Sequence, residues 1–425
     1  MAAVLSAHAS AAAQLGLPGL PQLPLPSRLD AARLDAGRLG ERLLDTADLP
    51  RRLPLDQLRL AGLRELLLRH PAYLEPDPAG RPVVRQVILA WSPSPAALAA
   101  AAAQGLAVTG QQELGIGGRL VRLRAPDGLA TASALAALRA ADPEGSYDFD
   151  HVYTGAAAAA VAPPQAIDAL PARQATAGDT RIGLVDSGID AGHEVFGHAS
   201  IVRWGCDGTA RPAPHGTAVA ALMVGRSERF SGAAPSARLY AADVYCDQPT
   251  GGSASQVVQA LAWLAREQVG VINLSLVGPP NQMLQRAVQA LVGRGHLLVA
   301  AVGNDGPAAP PLYPASYPGV VGVTGVDSKR RLLPEAARGP QVMFAAPGSQ
   351  MASAAIGKPP YKLVRGTSFA SPLVAALLAQ RLAAPSPLHA AAAVDALAAT
   401  ASATGEGTGR GVVGEQLRVP PSAFR

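Results

Sequence analysis

Arg365-Gly-Thr-Ser-Phe-Ala-Ser-Pro-Leu-Val-Ala-Ala-Leu-Leu-Ala379 is the stretch on which the reading of this chain turns. A Gly-Thr pair leads into Ser368, and Ser368 opens an Ala/Leu-rich run expected to be helical over residues 368–383. The backbone N–H of Ser368 and the helix N-terminus would face whatever approaches its hydroxyl, an arrangement suited to an oxyanion. Taken alone, the same serine also reads as an ordinary helix cap. Pro372 is expected in the first turn, where a missing N–H costs little.

Upstream, from Arg181 onward, short apolar runs alternate with helical patterns. Strands are expected at 182–185, 239–244, 271–274, 297–302 and 320–323, and helices near 217–224, 255–267 and 281–294. That alternation predicts an α/β fold, a parallel sheet with helices on both faces. Such sheets bind ligands beyond the carboxyl ends of their strands. Asp186 ends the strand Arg181-Ile-Gly-Leu-Val-Asp, just before Ser187-Gly188. By itself it is equally a turn residue. His215, in Pro214-His-Gly-Thr-Ala-Val-Ala-Ala-Leu, stands at a helix start, where a neutral imidazole can serve as general base or merely as a cap. Asn304, in Ala300-Ala-Val-Gly-Asn-Asp-Gly, follows a buried strand; its amide could donate to an oxyanion or form an Asx turn.

Each signal is weak singly, but the chain order Asp, His, Ser is one of the established triad orders. The blocks Asp186-Ser-Gly, His215-Gly-Thr, Gly303-Asn-Asp-Gly and Gly366-Thr-Ser-Phe-Ala-Ser-Pro, with Gly232-Ala-Ala-Pro-Ser-Ala, Val271-Ile-Asn-Leu-Ser-Leu and Ala345-Ala-Pro-Gly between them, resemble the subtilisin-like (S8) serine peptidases over roughly residues 180–385. The resemblance implies a serine endopeptidase with Ser368 as nucleophile, His215 as general base and acid, and Asp186 orienting the imidazole. Asn304 and the Ser368 N–H would hold the oxyanion. A protein or peptide substrate would pair as an extended strand with Ser275, Leu276 and Val277. No cofactor is implied.

Three departures from the family pattern stand out. Ala218 replaces the second histidine of His-Gly-Thr-His, and Val277 replaces a glycine where a side chain should crowd the cleft. Residues 225–232 lack the carboxamide-rich loop that binds structural calcium in many relatives, so no metal is expected there. The resemblance also puts Leu312 where the family often has a small residue at the floor of the primary pocket, which predicts a shallow pocket favouring small apolar residues, and counts Gly303 among the substrate-binding residues. Cys206 and Cys246 fit no zinc or redox spacing; they are either a single disulfide or two buried thiols.

The N-terminal part divides by composition. Residues 1–27 are a leader and Pro-rich linker, and the opening 15 residues lack the charged and apolar regions of a standard signal peptide. Residues 28–81 carry leucines at helical spacing, broken by Pro50 and Pro54. Residues 82–153 show the order β-α-β-β-α-β of a small ferredoxin-like unit: strands at 83–91, 107–113, 119–123 and 147–152, helices at 95–104 and 128–141. Residues 154–164 form an Ala-rich joint before a main domain at 165–420. Members of the resembled family carry a pro-domain of this form, which implies an intramolecular inhibitor released by self-cleavage between about Tyr153 and Val161. A catalytically inactive peptide-binding relative is the alternative reading.

Composition closes off other classes. With 49% apolar and 16% charged residues in 425, the chain has ample core material, drawn mainly from Ala, Val, Leu and Ile because aromatics make up only 4%. The net charge of +5 comes from arginines scattered among acids, so no nucleic-acid partner is expected. No run qualifies as a transmembrane helix. The expected location is extracellular or periplasmic. An α/β-hydrolase would need G-x-S-x-G, which Gly366-Thr-Ser-Phe-Ala fails, and no nucleotide-binding glycine motif is present.

Overall fold

The computed structural model describes residues 55–155, 180–248, 250–402 and 405–421. Helix α1 (Leu55–Arg69) leads to β1 (Leu74–Pro76) and β2 (Pro82–Trp91). There follow α2 (Pro95–Ala103), β3 (Ala107–Glu113), β4 (Arg119–Arg124), α3 (Thr131–Ala141) and β5 (Ser146–Gly155). The strands lie in the order β5-β2-β4-β3, all antiparallel, with β1 added beside β2. Ser94 starts α2 by accepting the Ala97 N–H at 3.0 Å, and Pro95 occupies the first helical position, where its lost donor is harmless. Strand period sorts the side chains. Ile88 and Ala90 join Leu135, Leu138 and Phe149 in one core, while Val87 and Leu89 face the opposite way and join the helices of the larger sheet.

That larger sheet comprises β6 (Arg181–Asp186), β7 (Ile201–Trp204), β8 (Arg238–Asp243), β10 (Val271–Leu274), β12 (Leu297–Ala301), β13 (Val321–Val326) and β14 (Val342–Pro347). Their order is β14-β13-β12-β10-β6-β8-β7, and every pairing is parallel. Helices α4 (Pro214–Val224) and α7 (Thr367–Ala379) share one core with Ile182, Leu184, Val299 and Val323. Helices α5 (Ala254–Arg266) and α6 (Gln282–Gly293) share the other with Val185, Ile272, Leu298 and Ala300. Consecutive strand residues thus feed opposite cores, as a sheet buried on both faces requires. The first strand, β6, sits between β10 and β8, so the strand order reverses at β6. Asp186, its last residue, opens onto that crevice.

Several elements differ from the sequence expectation. The last strand of the small unit runs three residues past Val152, to Gly155. Strands β1, β7 and β14, the hairpin β15 (Met351–Ala354) with β16 (Tyr361–Val364), and helix α8 (Pro387–Ala398) were not anticipated. Most are short runs with no clear period of their own. Helix α7 begins at Thr367, so Pro372 is its sixth residue and lies inside it rather than in the first turn. The linker at 1–27, the helical pattern at 28–54 and most of the joint, 156–164, lie outside the described residues. The Cys206 and Cys246 sulfurs stand 2.11 Å apart, a bonding distance, and tie the loop after β7 to the loop after β8.

Candidate active site

Asp186, His215 and Ser368 come from the C-terminal end of β6, the first turn of α4 and the first turn of α7. The Asp186 Oδ1 accepts from the Ser187 N–H (2.7 Å), the Ser187 hydroxyl (3.1 Å) and His215 Nδ1 (2.8 Å). A carboxylate only accepts, so Nδ1 carries the proton and Nε2 presents its lone pair. Ser187 also accepts the Gly216 N–H at 3.0 Å, which clamps the histidine's helix onto the aspartate's turn. Gly216 is required there: a Cβ would stand 2.1 Å from the Ser187 carbonyl oxygen. The His215 ring lies 5.4 Å from the ring of Phe369, the residue after Ser368. His215 Nε2 and Ser368 Oγ are both buried, and neither has a hydrogen-bond partner among the described residues. Unpaired buried polar atoms are rare and demand a reason; a ring nitrogen and a hydroxyl kept free for a reacting group would supply one.

The helix that carries Ser368 is held from behind. Pro372 cannot donate to the carbonyl four residues earlier, which is that of Ser368. Ser275 fills the gap: its hydroxyl donates to the Ser368 oxygen at 3.1 Å and lies 3.2 Å from the Ser371 hydroxyl, while Asn273 donates to it at 2.8 Å. Ser275 was expected to pair with substrate through its backbone; its side chain braces the helix. Asn304 accepts the Thr367 N–H at 3.0 Å, and the Thr367 hydroxyl accepts the Gly303 N–H at 3.3 Å. The oxygen of the Asn304 amide thus faces the start of α7. The Ser368 N–H belongs to the first turn of α7, whose donors have no intrahelical acceptor.

These arrangements match a known family along the sequence. Residues 178–414 match the subtilase family (peptidase S8). The chain belongs to that family. Among curated relatives of this subtilase, subtilisin E of Bacillus subtilis (strain 168) is 32% identical over 216 residues, covering 49% of the chain and 56% of the relative. Subtilisin DY of Bacillus licheniformis is 32% identical over 251 residues, covering 56% and 89%. The chain spans about half the length of subtilisin E and 32% of the minor extracellular protease Epr of Bacillus subtilis (strain 168). Among solved structures, fervidolysin from Fervidobacterium pennivorans, described as a keratinolytic enzyme related to subtilisin, aligns with a TM-score of 0.64. It covers 79% of this chain and 61% of its own, at 18% identity, a likeness of fold.

In this subtilase two short edges of the larger portion hold the last strand of the small unit. β5 runs between β9 (Gly252–Ser253) and β11 (Leu276–Val277), antiparallel to both. Thr154 pairs with Val277 and Gly155 with Leu276; Tyr153 pairs with Gly252 and Val152 with Ser253. Tyr153 is fully buried, and its hydroxyl donates to the Pro279 carbonyl at 2.8 Å. Its ring fills the space over Gly278, where a Cβ would lie 2.5 Å from it. Val277 and Leu312 pack with Ala301 into one apolar cluster.

The same strand caps two helices of the larger sheet. Asp150 accepts the Ser255 N–H (2.8 Å) and hydroxyl (2.7 Å) in the first turn of α5. Asp148 accepts the Gln282 N–H (2.8 Å) at the start of α6. Helix N-termini favour such carboxylates. Burial pushes the Asp150 carboxyl up, against the Ser255 hydrogen bonds. Beside it, His151 bridges Asp77 (3.2 Å) and the Asn281 amide (3.0 Å). Burial alone would raise Asp77, but hydrogen bonds from His151 and Arg81 hold it down at about 2.

Four contributors were not foreseen from the sequence: Tyr153, the Gly252–Ser253 edge, Ser371 and Asp243. Asp243 ends β8 in register with Asp186 and receives the Tyr245 and Cys246 N–H groups at 2.9 Å each. Burial raises its carboxyl, and the neighbouring Asp186 adds to the effect. A Gly-Gly-Ser before an amphipathic helix could have marked the second edge, and an acid ending a second strand could have marked Asp243.

Proposed function

We propose that this subtilase is a serine endopeptidase made as a self-cleaving precursor. The observation that carries the proposal is a pair of buried atoms without a hydrogen-bond partner among the described residues, His215 Nε2 and Ser368 Oγ, with His215 Nδ1 bound to Asp186. Ser368 Oγ attacks the scissile carbonyl while its proton passes to Nε2. The carbonyl oxygen becomes an oxyanion held by the Asn304 amide and the Ser368 N–H. The imidazolium then gives its proton to the leaving amine, and an acyl-enzyme remains. Water, deprotonated by the same imidazole, releases the acid and restores the serine.

Residues 82–153, extended by the strand to Gly155, act as the pro-domain, and their tail inhibits by lying where substrate would pair. We place the self-cleaved bond in the alanine run that follows, residues 156–160. The apolar closure by Val277 and Leu312 favours small apolar side chains on the amino side of the cut. Export to an extracellular or periplasmic space suits both an endopeptidase and the cysteine pair. Among the described residues, no helix is long and apolar enough to cross a membrane. Intact mass and N-terminal sequencing of the wild type beside Ser368→Ala test the whole reading. Cleavage within the alanine run in the first and none in the second is the expected result; identical, uncut chains that take no fluorophosphonate label would overturn it.

A further inference from the structure

Helix α1 precedes the small sheet and contributes to neither core. It rests against β1 and β2, yet Leu60 and Leu68 on it are 50% and 81% exposed, so no broad apolar stripe fastens it. One side chain reaches far from the helix. Arg59 Nε lies 3.2 Å from Asp305 Oδ2, with the two side chains 17% and 14% exposed, and its Nη2 donates to the Val277 carbonyl at 3.4 Å. Val277 belongs to the strand that pairs with the β5 tail, and Asp305 directly follows Asn304. The guanidinium therefore bridges the substrate-pairing edge and the loop that carries the oxyanion amide. It is also within electrostatic reach of the triad's surroundings: burial and Asp186 push the Tyr245 hydroxyl up, and Arg59 pulls the other way.

We infer that the Asp305 carboxylate and the Val277 carbonyl form a guanidinium-binding subsite at the rim of the cleft, filled in the uncut chain by Arg59, which makes α1 a lock separate from the β5 tail. A planar fork suits this pair of acceptors: one N–H meets a carboxylate and another a carbonyl, and both are set by one rigid group. A lysine keeps the charge but cannot hold both acceptors in fixed geometry. The β5 tail blocks the pairing edge along its length, whereas Arg59 closes the gap between that edge and the oxyanion loop. Both must leave before a substrate can sit. The inference rests on the peptidase reading only in calling the subsite part of a substrate cleft.

The test uses the full chain. In a Ser368→Ala background, which keeps it uncut, hydrogen exchange of the amides at 57–69 is measured for Arg59→Ala, Asp305→Asn and the double variant. Each single change should speed exchange about fivefold, the strength of a half-buried ion pair, and the double should add nothing further. Unchanged exchange in either single variant, or additive effects, would overturn the subsite. With Ser368 intact, fluorophosphonate labelling should rise by a similar factor in Arg59→Ala, with Arg59→Lys between it and wild type. Faster exchange without faster labelling would sink the lock, and no labelling in any chain would sink the peptidase reading while leaving the exchange result to judge the subsite.

Discussion

The parallel-sheet portion and the small antiparallel unit before it are built on different terms. Within the first, helices and strands meet through fully buried Leu, Val, Ile and Ala on both faces, as at Leu264, Ile272 and Leu298. Between the two, an apolar patch around Val87 and Leu89 is ringed by groups that water could replace: Asp148 and Asp150 on helix N-termini, and Asn281 on the Phe149 carbonyl and His151. Apolar cores cannot be undone piecemeal, because each side chain leaves a cavity. Carboxylates on helix ends can be exchanged for solvent at modest cost. The difference is that between a fold that must persist and a contact suited to release.

The largest effect would come at the nucleophile. Ser368→Ala should lower peptide hydrolysis by about 10⁶-fold and leave the joint uncut. Kinetics and intact mass would read it, and a cut joint would break the relation of enzyme and tethered inhibitor. Next, Asn304→Ala should cost about 10²–10³ in kcat with little change in KM. A change confined to KM would mean that the amide serves binding alone.

Two further substitutions compare the permanent and separable surfaces directly. Leu264→Ala, in the core, should lower unfolding stability by about 2–5 kcal/mol in urea titrations. Asp150→Ala strips two hydrogen bonds from α5 and should weaken the hold on the cleaved pro-segment by about 1–3 kcal/mol. In the chain kept whole by Ser368→Ala, unfolding stability should fall less with Asp150→Ala than with Leu264→Ala. If it falls as far, the proposed contrast fails.

The smallest effect is in pH dependence, where two acids of the small unit oppose each other. Asp77 is depressed to about 2 from an ordinary 3.8, so its roughly 2 kcal/mol contribution is present above the ordinary value and lost as pH falls toward 2. Asp150 is raised by burial, so its docked form gains protons: the grip tightens as pH falls through the docked value and loosens as pH rises. Dissociation of the cleaved pro-segment from pH 4 to 7 should show that slope, and Asp150→Asn should flatten it. An unaltered slope would place the proton elsewhere.

Much of the site was legible because its chemistry demands rare residue patterns. Asp186 at a strand end, His215 before a glycine that must approach Ser187, and Ser368 before Ala-Ser-Pro are each constrained by backbone geometry as well as reactivity. The Pro372 reading failed on position: even with a helix opening at Ser368 the proline is its fifth residue, past the first turn, and no sequence signal showed what would meet the carbonyl it leaves open. The bracing role of the Ser275 side chain was not legible either, because a side chain's direction after a four-residue strand depends on what lies behind it.

The sequence by itself determined the alternation of strands and helices, the order of the three reactive residues and the six elements of the small unit, since these follow from local periodicity and motif spacing. Only the tertiary structure decided that β5 pairs between the Gly252–Ser253 and Leu276–Val277 edges, that Asp148 and Asp150 cap helices more than a hundred residues away, and that Arg59 reaches Asp305. Those contacts join segments with no shared period. Their energies come from pairings across space, which no local pattern encodes.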